Sequence, residues 1–365
     1  MAHPDSADPA NAIAIRTTNS RRAGCSRGVG GAEAGDEGAT AATAAVVLAG
    51  CSGSTEPAAS DQPASEVITV GALTPGNAND GAFNQALADA LAQLEEEGLI
   101  TYELREQMAD PAESEPVIAD FASQGVDLII GHGIELGDAI FSVADDFPDV
   151  AFTASGGADI LEKYTDNVET WTYDVSQVGY LSGYIAGLTQ LSPIGRVESL
   201  ELDFITATDA FFQQGVAAAN PSAELLPVVY AGSFDDAEAA ASATTGLIGQ
   251  GAQLVYTTGD GIAAGVGAAA ADAGVPTVGV SPAAGEEALS VNVSTVDLDM
   301  YPIVKAWVEE VAAGDFGGKG VVSTLQNGGL TYQEINDVNG TIPADVATKV
   351  EELIAGLTDG SVTIS

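Results

Sequence analysis

Residues 67–94 contain, in order, an apolar run, a polar loop and an amphipathic pattern. The run at 67–73 is long enough for one buried strand, and the Pro-Gly-Asn sequence at 75–77 is typical of a turn. The later apolar residues are spaced three or four apart, which predicts one face of a helix. They are Phe83, Leu87, Leu91 and Leu94. Because ligands bind at the carboxyl ends of parallel strands, we predict that this strand–loop–helix unit forms part of a small-molecule site.

The same alternation continues along the chain and then restarts. Strand-like and helical segments alternate up to residue 174, and a helical segment at 175–189 precedes a second series. The boundary between two α/β halves is therefore placed near 174–190. In the second series we predict a strand at 288–293 and a helix at 296–313. Alternation at this pace indicates an α/β protein with parallel sheets.

The length and the charge limit the class of protein. The chain has 365 residues, enough for two domains, and 46% of them are apolar, enough for a core. Its 53 acidic and 10 basic residues give a formal net charge of −43, which repels nucleic acid and anionic lipid. Nucleic-acid partners are therefore excluded. Because salt screens repulsion between acids spread along the whole chain, we predict a halophilic protein that works in high salt. An acidic secreted protein is the alternative.

The first 65 residues lack a periodic apolar pattern and are interpreted as a leader and a tether. Residues 1–50 contain a twin-arginine pair and end in a short apolar run, too short to span a bilayer but suited to a signal peptide. The run leads into Leu-Ala-Gly-Cys at 48–51, which resembles a lipobox, so Cys51 is the predicted lipidation site. Residues 51–65 are predicted to be a flexible tether. An alanine-rich linker with a chance cysteine is the alternative.

The mature chain offers little for catalysis or metal binding. Removal of residues 1–50 leaves one cysteine, Cys51, which would be lipidated, and one histidine, His132. These residues provide no cysteine nucleophile, thiolate metal site or histidine triad, and no serine-nucleophile elbow is present. We therefore expect no enzymatic activity, no metal and no cofactor. No apolar stretch reaches 18 residues, so no transmembrane helix is predicted.

Five segments match, in order, the motifs of one known family. They lie at 79–85 (NDGAFNQ), 125–133 (GVDLIIGHG), 144–152 (ADDFPDVAF), 179–187 (GYLSGYIAG) and 232–236 (GSFDD). The chain resembles over residues 66–335 the basic membrane protein family of PnrA-like substrate-binding lipoproteins of ABC importers, which includes purine-nucleoside receptors. The resemblance implies two Rossmann-like lobes with parallel sheets joined by a hinge, the type I periplasmic-binding-protein fold.

Departures from the family pattern bear on the ligand. Relatives usually carry an aspartate that holds ribose hydroxyls where this chain has Ser281. The lysine usual in the next strand is absent from residues 294–297, and Gly81 stands where another family lysine is common. A purine nucleoside or similar compound is still the predicted ligand, with a sugar-like solute as the alternative.

Two aromatic and three polar residues are the first candidates for ligand contact. Phe83 and Phe234 could stack on the two faces of a flat ring, although Phe83 could also be the first core residue of its helix. Asn79, Asp80 and Asn84 stand at a helix start, where capping is the usual role. We predict that one of them caps the helix and another reaches the ligand, with Asp80 as the favoured contact.

The remaining candidates occupy strand ends and loops. For His132, which follows a buried strand, a ligand hydrogen bond and a plain loop position are equally expected. Ser155 and Tyr173 end strands that face the predicted cleft. Asp260 lies between two glycines in a tight turn whose backbone can touch ligand, and Ser281 follows a predicted strand at 276–280.

Together these features predict a lipid-anchored, extracytoplasmic solute receptor of an ABC importer on the outer face of the cell membrane. Lobe 1 is predicted at 66–174, completed by about 294–320, and lobe 2 at 175–293 with parts of 321–365. The small polar ligand binds between the lobes, and the closed form meets the permease. We expect a monomer. A sensory protein that signals to a membrane kinase or chemoreceptor is the alternative.

Overall fold

Strands and helices alternate along residues 67–259 and 261–364, which the computed structural model describes. The strands are β1 (Ile68–Leu73), β2 (Ile100–Arg105), β3 (Leu128–Gly131), β4 (Ala151–Ser155), β5 (Val168–Tyr173), β6 (Ile194–Glu198), β7 (Val229–Tyr230), β8 (Leu254–Tyr256), β9 (Thr277–Val278), β10 (Val296–Leu298), β11 (Gly320–Ser323) and β12 (Leu330–Tyr332). The α-helices are α1 (Phe83–Glu96), α2 (Pro111–Gln124), α3 (Gly137–Ala144), α4 (Val175–Leu188), α5 (Asp203–Ala219), α6 (Ala237–Gly249), α7 (Ala263–Ala273), α8 (Glu286–Leu289), α9 (Tyr301–Ala313) and α10 (Val346–Asp359). In this part of the chain, each helix is too short or too polar to cross a membrane.

The first sheet has the strand order β11-β5-β4-β3-β1-β2, and all of its neighbouring strands are parallel. Helices α1 and α9 pack on one face through residues such as Leu87, Leu91 and Trp307. Helices α2 and α3 pack on the other face through Ile118 and Ile140. Because both faces are covered, strands such as β3 are apolar at every position, as in other parallel sheets. We call this sheet with its helices lobe 1.

The second sheet has the order β7-β6-β8-β9 and is also parallel. Helices α4, α5 and α10 cover one face, with Leu181, Phe212 and Val350 in the shared core. Helices α6 and α7 cover the other face through Leu247 and Val266. We call this second layered unit lobe 2. The predicted α/β fold with two lobes and parallel sheets is confirmed.

The segment that returns from lobe 2 to lobe 1 differs from the sequence prediction. Instead of one helix over 296–313, β10 pairs antiparallel with β12, and α9 begins only at Tyr301. The carboxylate of Asp299 accepts the Tyr301 N–H at 2.9 Å, which fixes the helix start. The predicted strand at 288–293 is also wrong, since α8 occupies its first residues and only Asn292 bridges to β9.

The two sheets share a topology that leaves a crevice at their carboxyl ends. In each sheet the first strand lies between the second and the third, as in β2-β1-β3 and β7-β6-β8. The helices that follow the first and third strands therefore lie on opposite faces, and the loops between them separate. In the described residues the chain passes between the lobes three times: from β5 to α4, through β10 to α9, and from β11 through β12 to α10.

Candidate ligand-binding site

A cavity of about 840 Å³ lies where the loops of both lobes meet at the strand ends. Lobe 1 contributes, among others, Asp80, Phe83, Asn84, Glu135, Ser155, Trp171 and Tyr173. Lobe 2 contributes Ser199, Asp203, Phe204, Phe234, Asp235 and Thr258. The volume lies in the range of small-molecule sites, which are typically concave, largely apolar and furnished with a few polar groups. We call this space the main cavity.

Phe83 is held by two other rings. Its ring stacks on His132 with centroids 4.0 Å apart, and His132 in turn lies 5.2 Å from Trp171. The planes of the three rings are within 20° of one another. His132 Nε2 donates a hydrogen bond to the carbonyl oxygen of Phe83 at 2.7 Å. The aromatic side chain that faces the cavity is thus positioned by contacts behind it.

His132 is a supporting residue in this arrangement. It is fully buried and does not line the main cavity. Burial lowers the pKa of His132 to about 4 because desolvation disfavours the imidazolium, so the ring is neutral near pH 7. Since a carbonyl only accepts, Nε2 carries the hydrogen, and Nδ1 has no hydrogen-bond partner among the described residues. Of the two roles expected for His132, the structure favours the one without direct ligand contact.

Asp80 caps helix α1. Its Oδ1 accepts the N–H groups of Ala82 and Gln85, at 2.9 and 3.0 Å. Its Oδ2 accepts the backbone N–H and the side-chain amide of Asn84, at 3.0 and 2.7 Å. A carboxylate has about four acceptor positions, so the protein itself uses those of Asp80. Asp80 also lines the main cavity, so its contact with a ligand remains a prediction beside the capping role.

Asn84 is the better placed polar residue of this loop. It lines the main cavity, and its side chain is only 7% exposed. Because Nδ2 donates to Asp80, the amide orientation is fixed and Oδ1 must be the acceptor. Oδ1 has no partner in the described part of the chain. An unpaired acceptor that is shielded from solvent is costly, so a ligand donor that reaches it as the loop adjusts would stabilise it.

Ser155 and Tyr173 also line the main cavity. The Ser155 hydroxyl accepts the N–H of Gly133 at 2.6 Å and lies 3.3 Å from the carbonyl oxygen of Gly131. It thereby ties the end of β4 to the loop after β3. Tyr173 ends β5 directly before the first passage between the lobes, so it borders both lobes at once.

In lobe 2 a buried carboxyl group supports the cavity wall. Glu198 ends β6, and its carboxyl contacts the hydroxyl of Thr258 and, at 3.4 Å, the Thr258 N–H. Burial raises the pKa of Glu198 to about 8 because the charged form loses its hydration. Thr258 lines the cavity while Glu198 lies beneath it. Glu198 therefore orients Thr258 without needing to touch a ligand.

A second cavity of about 260 Å³ adjoins the first. The two share Phe83, Tyr173 and Thr258 as lining residues. Ser281, after β9, and Asp297, in β10, line only the second one. We call it the side cavity. A ligand in contact with Phe83 can therefore extend from one cavity into the other.

The charged side chains that line the main cavity are all acidic among the described residues. The carboxylates of Glu135, Asp203 and Asp235 line it without an ion-pair partner, and no Lys, Arg or His of the described residues joins them. Two of the nearby helix N-termini are already capped by the chain's own carboxylates. Asp174 accepts two N–H groups at the start of α4, and Asp236 accepts one at the start of α6. Free helix N-termini bind anions, so their capping removes an anion site. Over 67–259 and 261–364, no three His, Cys, Asp or Glu residues are grouped to hold a metal ion.

Some expected residues lie elsewhere, and some lining residues were not expected. Asn79 is exposed and does not line either cavity, whereas Asp260 and Cys51 lie outside the described residues. Phe204 and Thr258 were not predicted. Both follow the carboxyl end of a lobe 2 strand, the same signal that identified Phe83 in lobe 1, so sequence reasoning could have found them.

Comparisons with known proteins agree with this architecture. The model of the family described as ABC transporter substrate-binding protein PnrA-like matches residues 67–354. The chain is 25% identical over 350 residues to the ABC transporter nucleoside-binding protein BmpA of Lactococcus lactis, a match covering 89% of this chain and 97% of that one. It is also 25% identical over 197 residues to the transcriptional activator protein med of Bacillus subtilis, covering 54% of this chain. The chain spans only 60% of the length of med.

A solved structure gives a further comparison. An ABC transporter solute-binding protein from Conexibacter woesei is 39% identical, with a TM-score of 0.73, and the match covers 82% of this chain and 98% of that chain. The family model spans most of the chain, including both lobes and every described lining residue of the main cavity. This chain therefore belongs to the PnrA-like family of ABC transporter substrate-binding proteins.

Proposed function

We propose that this protein is the extracytoplasmic solute receptor of an ABC importer and binds a purine nucleoside or a similar compound between its lobes. The observation that carries the proposal is that Phe83 of lobe 1 and Phe234 of lobe 2 line one cavity of about 840 Å³. A flat ring between two aromatic side chains gains dispersion and π contacts without needing charge. A ligand that contacts both lobes favours the closed form, because only differential affinity shifts such an equilibrium.

The geometry suggests a division of roles. Phe83, supported by His132, offers a rigid face for the ring, and Asn84 Oδ1 offers an acceptor beside it. Thr258, oriented by Glu198, offers a hydroxyl from lobe 2. These roles consist of binding and orientation, and we propose no covalent step. Closure would present a surface to the permease that the open form lacks.

The membrane attachment in this proposal rests on the sequence. Residues 1–50 would direct export, Cys51 would carry the lipid, and residues 51–65 would tether the lobes to the outer face of the membrane. We expect Cys51→Ser to move the protein from the membrane fraction to the soluble fraction, because a lipidated cysteine is the proposed anchor. Retention of the variant in membranes would contradict the anchor while leaving the ligand site untouched.

A sensory role is the second candidate, and the similarity to med favours keeping it. The relative is described as a transcriptional activator, so proteins similar to this chain are not all described as transport components. The two candidates differ in the partner of the closed form. A co-purified permease and ATPase would support import, whereas a kinase or chemoreceptor would support sensing.

Phe83→Ala is expected to weaken binding of a purine nucleoside by about 5- to 150-fold, since stacking on a base contributes about 1–3 kcal/mol. The measurement is thermal unfolding of the purified protein in molar KCl against nucleosides, free bases and sugars. A ligand that binds only the native state stabilises it by about 2.7 kcal/mol when the ligand concentration is 100 times Kd, and this stabilisation raises Tm.

Tyr164→Ala is the matched control, because Tyr164 is an aromatic residue of lobe 1 that is 44% exposed and lines neither cavity. It should leave the Tm shift unchanged. A Tm shift with sugars alone would support a solute receptor but would contradict the assignment of a nucleoside as its ligand. A shift with nucleosides that survives in Phe83→Ala would contradict stacking on this ring.

A further inference from the structure

Asp297 brings a carboxylate into the side cavity at the passage between the lobes. It lies in the middle of β10, flanked by Val296 and Leu298, which pack into the cores of lobe 2 and lobe 1, respectively. Because neighbouring side chains of a strand alternate, the two apolar neighbours leave Asp297 on the other face. The residue is half-buried and lines the side cavity.

The carboxylate of Asp297 is only partly satisfied by the protein. Gln333 Nε2 donates to Oδ2 at 3.0 Å, and the side chain of Thr295 also hydrogen-bonds to the carboxylate. In the described chain no Lys, Arg or His lines the side cavity, so no cation neutralises the charge there. Burial raises the pKa of Asp297, because the charged form loses hydration at this position. Additional hydrogen-bond donors would therefore stabilise the carboxylate.

Most of the other polar side chains that line the side cavity carry hydroxyls. Thr208, Thr258, Ser281 and Thr295 line it together with Asp297. Hydroxyl groups both donate and accept, which suits a ligand that carries hydroxyls of its own. The space of about 260 Å³ holds several water-sized groups, so it accommodates a sugar ring.

The side cavity continues from the main cavity past Phe83. A ring stacked on Phe83 would direct its substituent past Tyr173 and Thr258, which line both cavities, toward Asp297. The two oxygens of one carboxylate can accept two adjacent O–H groups, and acidic side chains recognise ribose hydroxyls in this way elsewhere. An exposed carboxylate, Asp89, also lines the side cavity, but its position on α1 leaves it in solvent.

We propose that Asp297 is the specificity-determining residue that binds a vicinal diol, such as the 2′ and 3′ hydroxyls of a ribonucleoside. The proposal rests on the proposed function and deepens it. It assigns the diol to β10, whereas the sequence has a serine, Ser281, where relatives carry their ribose-binding aspartate. The aromatic ring of the ligand would then bind in the main cavity and its diol in the side cavity, and the two cavities meet at Phe83.

The test compares a purine ribonucleoside with its 2′-deoxy form by calorimetry on the purified protein in molar KCl. The wild type should prefer the ribonucleoside by about tenfold or more, the effect of losing a hydrogen bond to a charged group. Asp297→Asn should weaken ribonucleoside binding by about 10- to 100-fold and bring the two affinities close together. Asp149→Asn, which changes an exposed carboxylate that lines neither cavity, should keep the wild-type preference.

Several results would overturn the inference. They are equal affinities of the wild type for the two nucleosides, an unchanged preference in Asp297→Asn, and loss of the preference in Asp149→Asn. Unliganded melting confirms that each variant is folded, and Asp297→Ser serves if the asparagine variant is not. If no nucleoside binds at all, the proposed ligand is wrong. The affinities for D-ribose and 2-deoxy-D-ribose are then compared to test the role of Asp297. Failure to prefer D-ribose there would overturn it as well.

Discussion

Asp209→Ala is expected to lower the free energy of unfolding by about 3–5 kcal/mol, the typical cost of leaving a buried charge without its partner. Arg196, in the buried strand β6, places Nη1 2.5 Å from both carboxylate oxygens of Asp209 in α5. Its Nε and Nη2 donate to the carbonyl oxygen of Leu226 at 3.2 and 2.9 Å. Both side chains are about one-tenth exposed or less, so water cannot replace the lost carboxylate.

The matched control removes both charges. Arg196→Met combined with Asp209→Leu should lose far less stability than Asp209→Ala alone, because replacing a buried pair by apolar residues is often close to neutral. Urea unfolding at moderate and at molar KCl measures the differences. The loss in Asp209→Ala should change little with salt, since buried charges are poorly screened. A single-variant loss no larger than that of the double variant would contradict this account.

A 5′-phosphate on the ligand is expected to weaken binding by about a thousandfold or more, because like charges placed together at a binding site cost several kcal/mol. Glu135, Asp203 and Asp235 line the main cavity, Asp89 and Asp297 line the side cavity, and among the described residues no basic side chain lines either cavity. The N-termini of α1, α4 and α6 are capped by carboxylates, and the first turn of α5, which borders the cavity, carries Asp203. We therefore expect the cleft to favour a neutral or positively charged ligand.

Competition between a nucleoside and its 5′-monophosphate measures this discrimination. The ratio of the affinities for the nucleoside and its monophosphate should become smaller as the KCl concentration is raised, because salt screens the exposed carboxylates of Asp203 and Asp235. Asp203→Asn with Asp235→Asn should recover part of the phosphate affinity and leave nucleoside affinity nearly unchanged. Binding of the monophosphate within tenfold of the nucleoside would show that charge does not govern selection at this site.

The charge of the protein bears on how these experiments are done. A formal net charge of −43 means that repulsion opposes folding at low ionic strength. Affinities and stabilities measured without salt would mix this general repulsion with the local effects of interest. When variants are compared at one KCl concentration, the general repulsion is the same for each and cancels from the difference. The control Tyr164→Ala, which leaves the charge unchanged, checks this cancellation.

The fold class and part of the site could be predicted from local patterns. The strand, loop and helix of residues 67–94 appear as β1, a loop and α1, because apolar spacing and turn residues act within a few positions. The same reasoning predicted Phe83 as a site residue, since parallel strands of one sheet end at a common edge, and Phe83 lines the main cavity. Position along a strand–helix junction is therefore information that the sequence carries by itself.

Other features depended on contacts between distant parts of the chain. Residues 296–298 form a strand because β12, more than 30 residues later, pairs with them, and a helical spacing cannot reveal that pairing. Because a helix was predicted there, Asp297 was not identified as a candidate site residue. Likewise, the sequence left open whether Asp80 would cap or bind, and whether His132 would face ligand or support Phe83. Only the tertiary structure shows that four hydrogen bonds tie Asp80 to the start of α1 and that a ring contact places His132 behind Phe83. The sequence determines the elements and their order, while the packing of the two lobes determines which side chains remain available to a ligand.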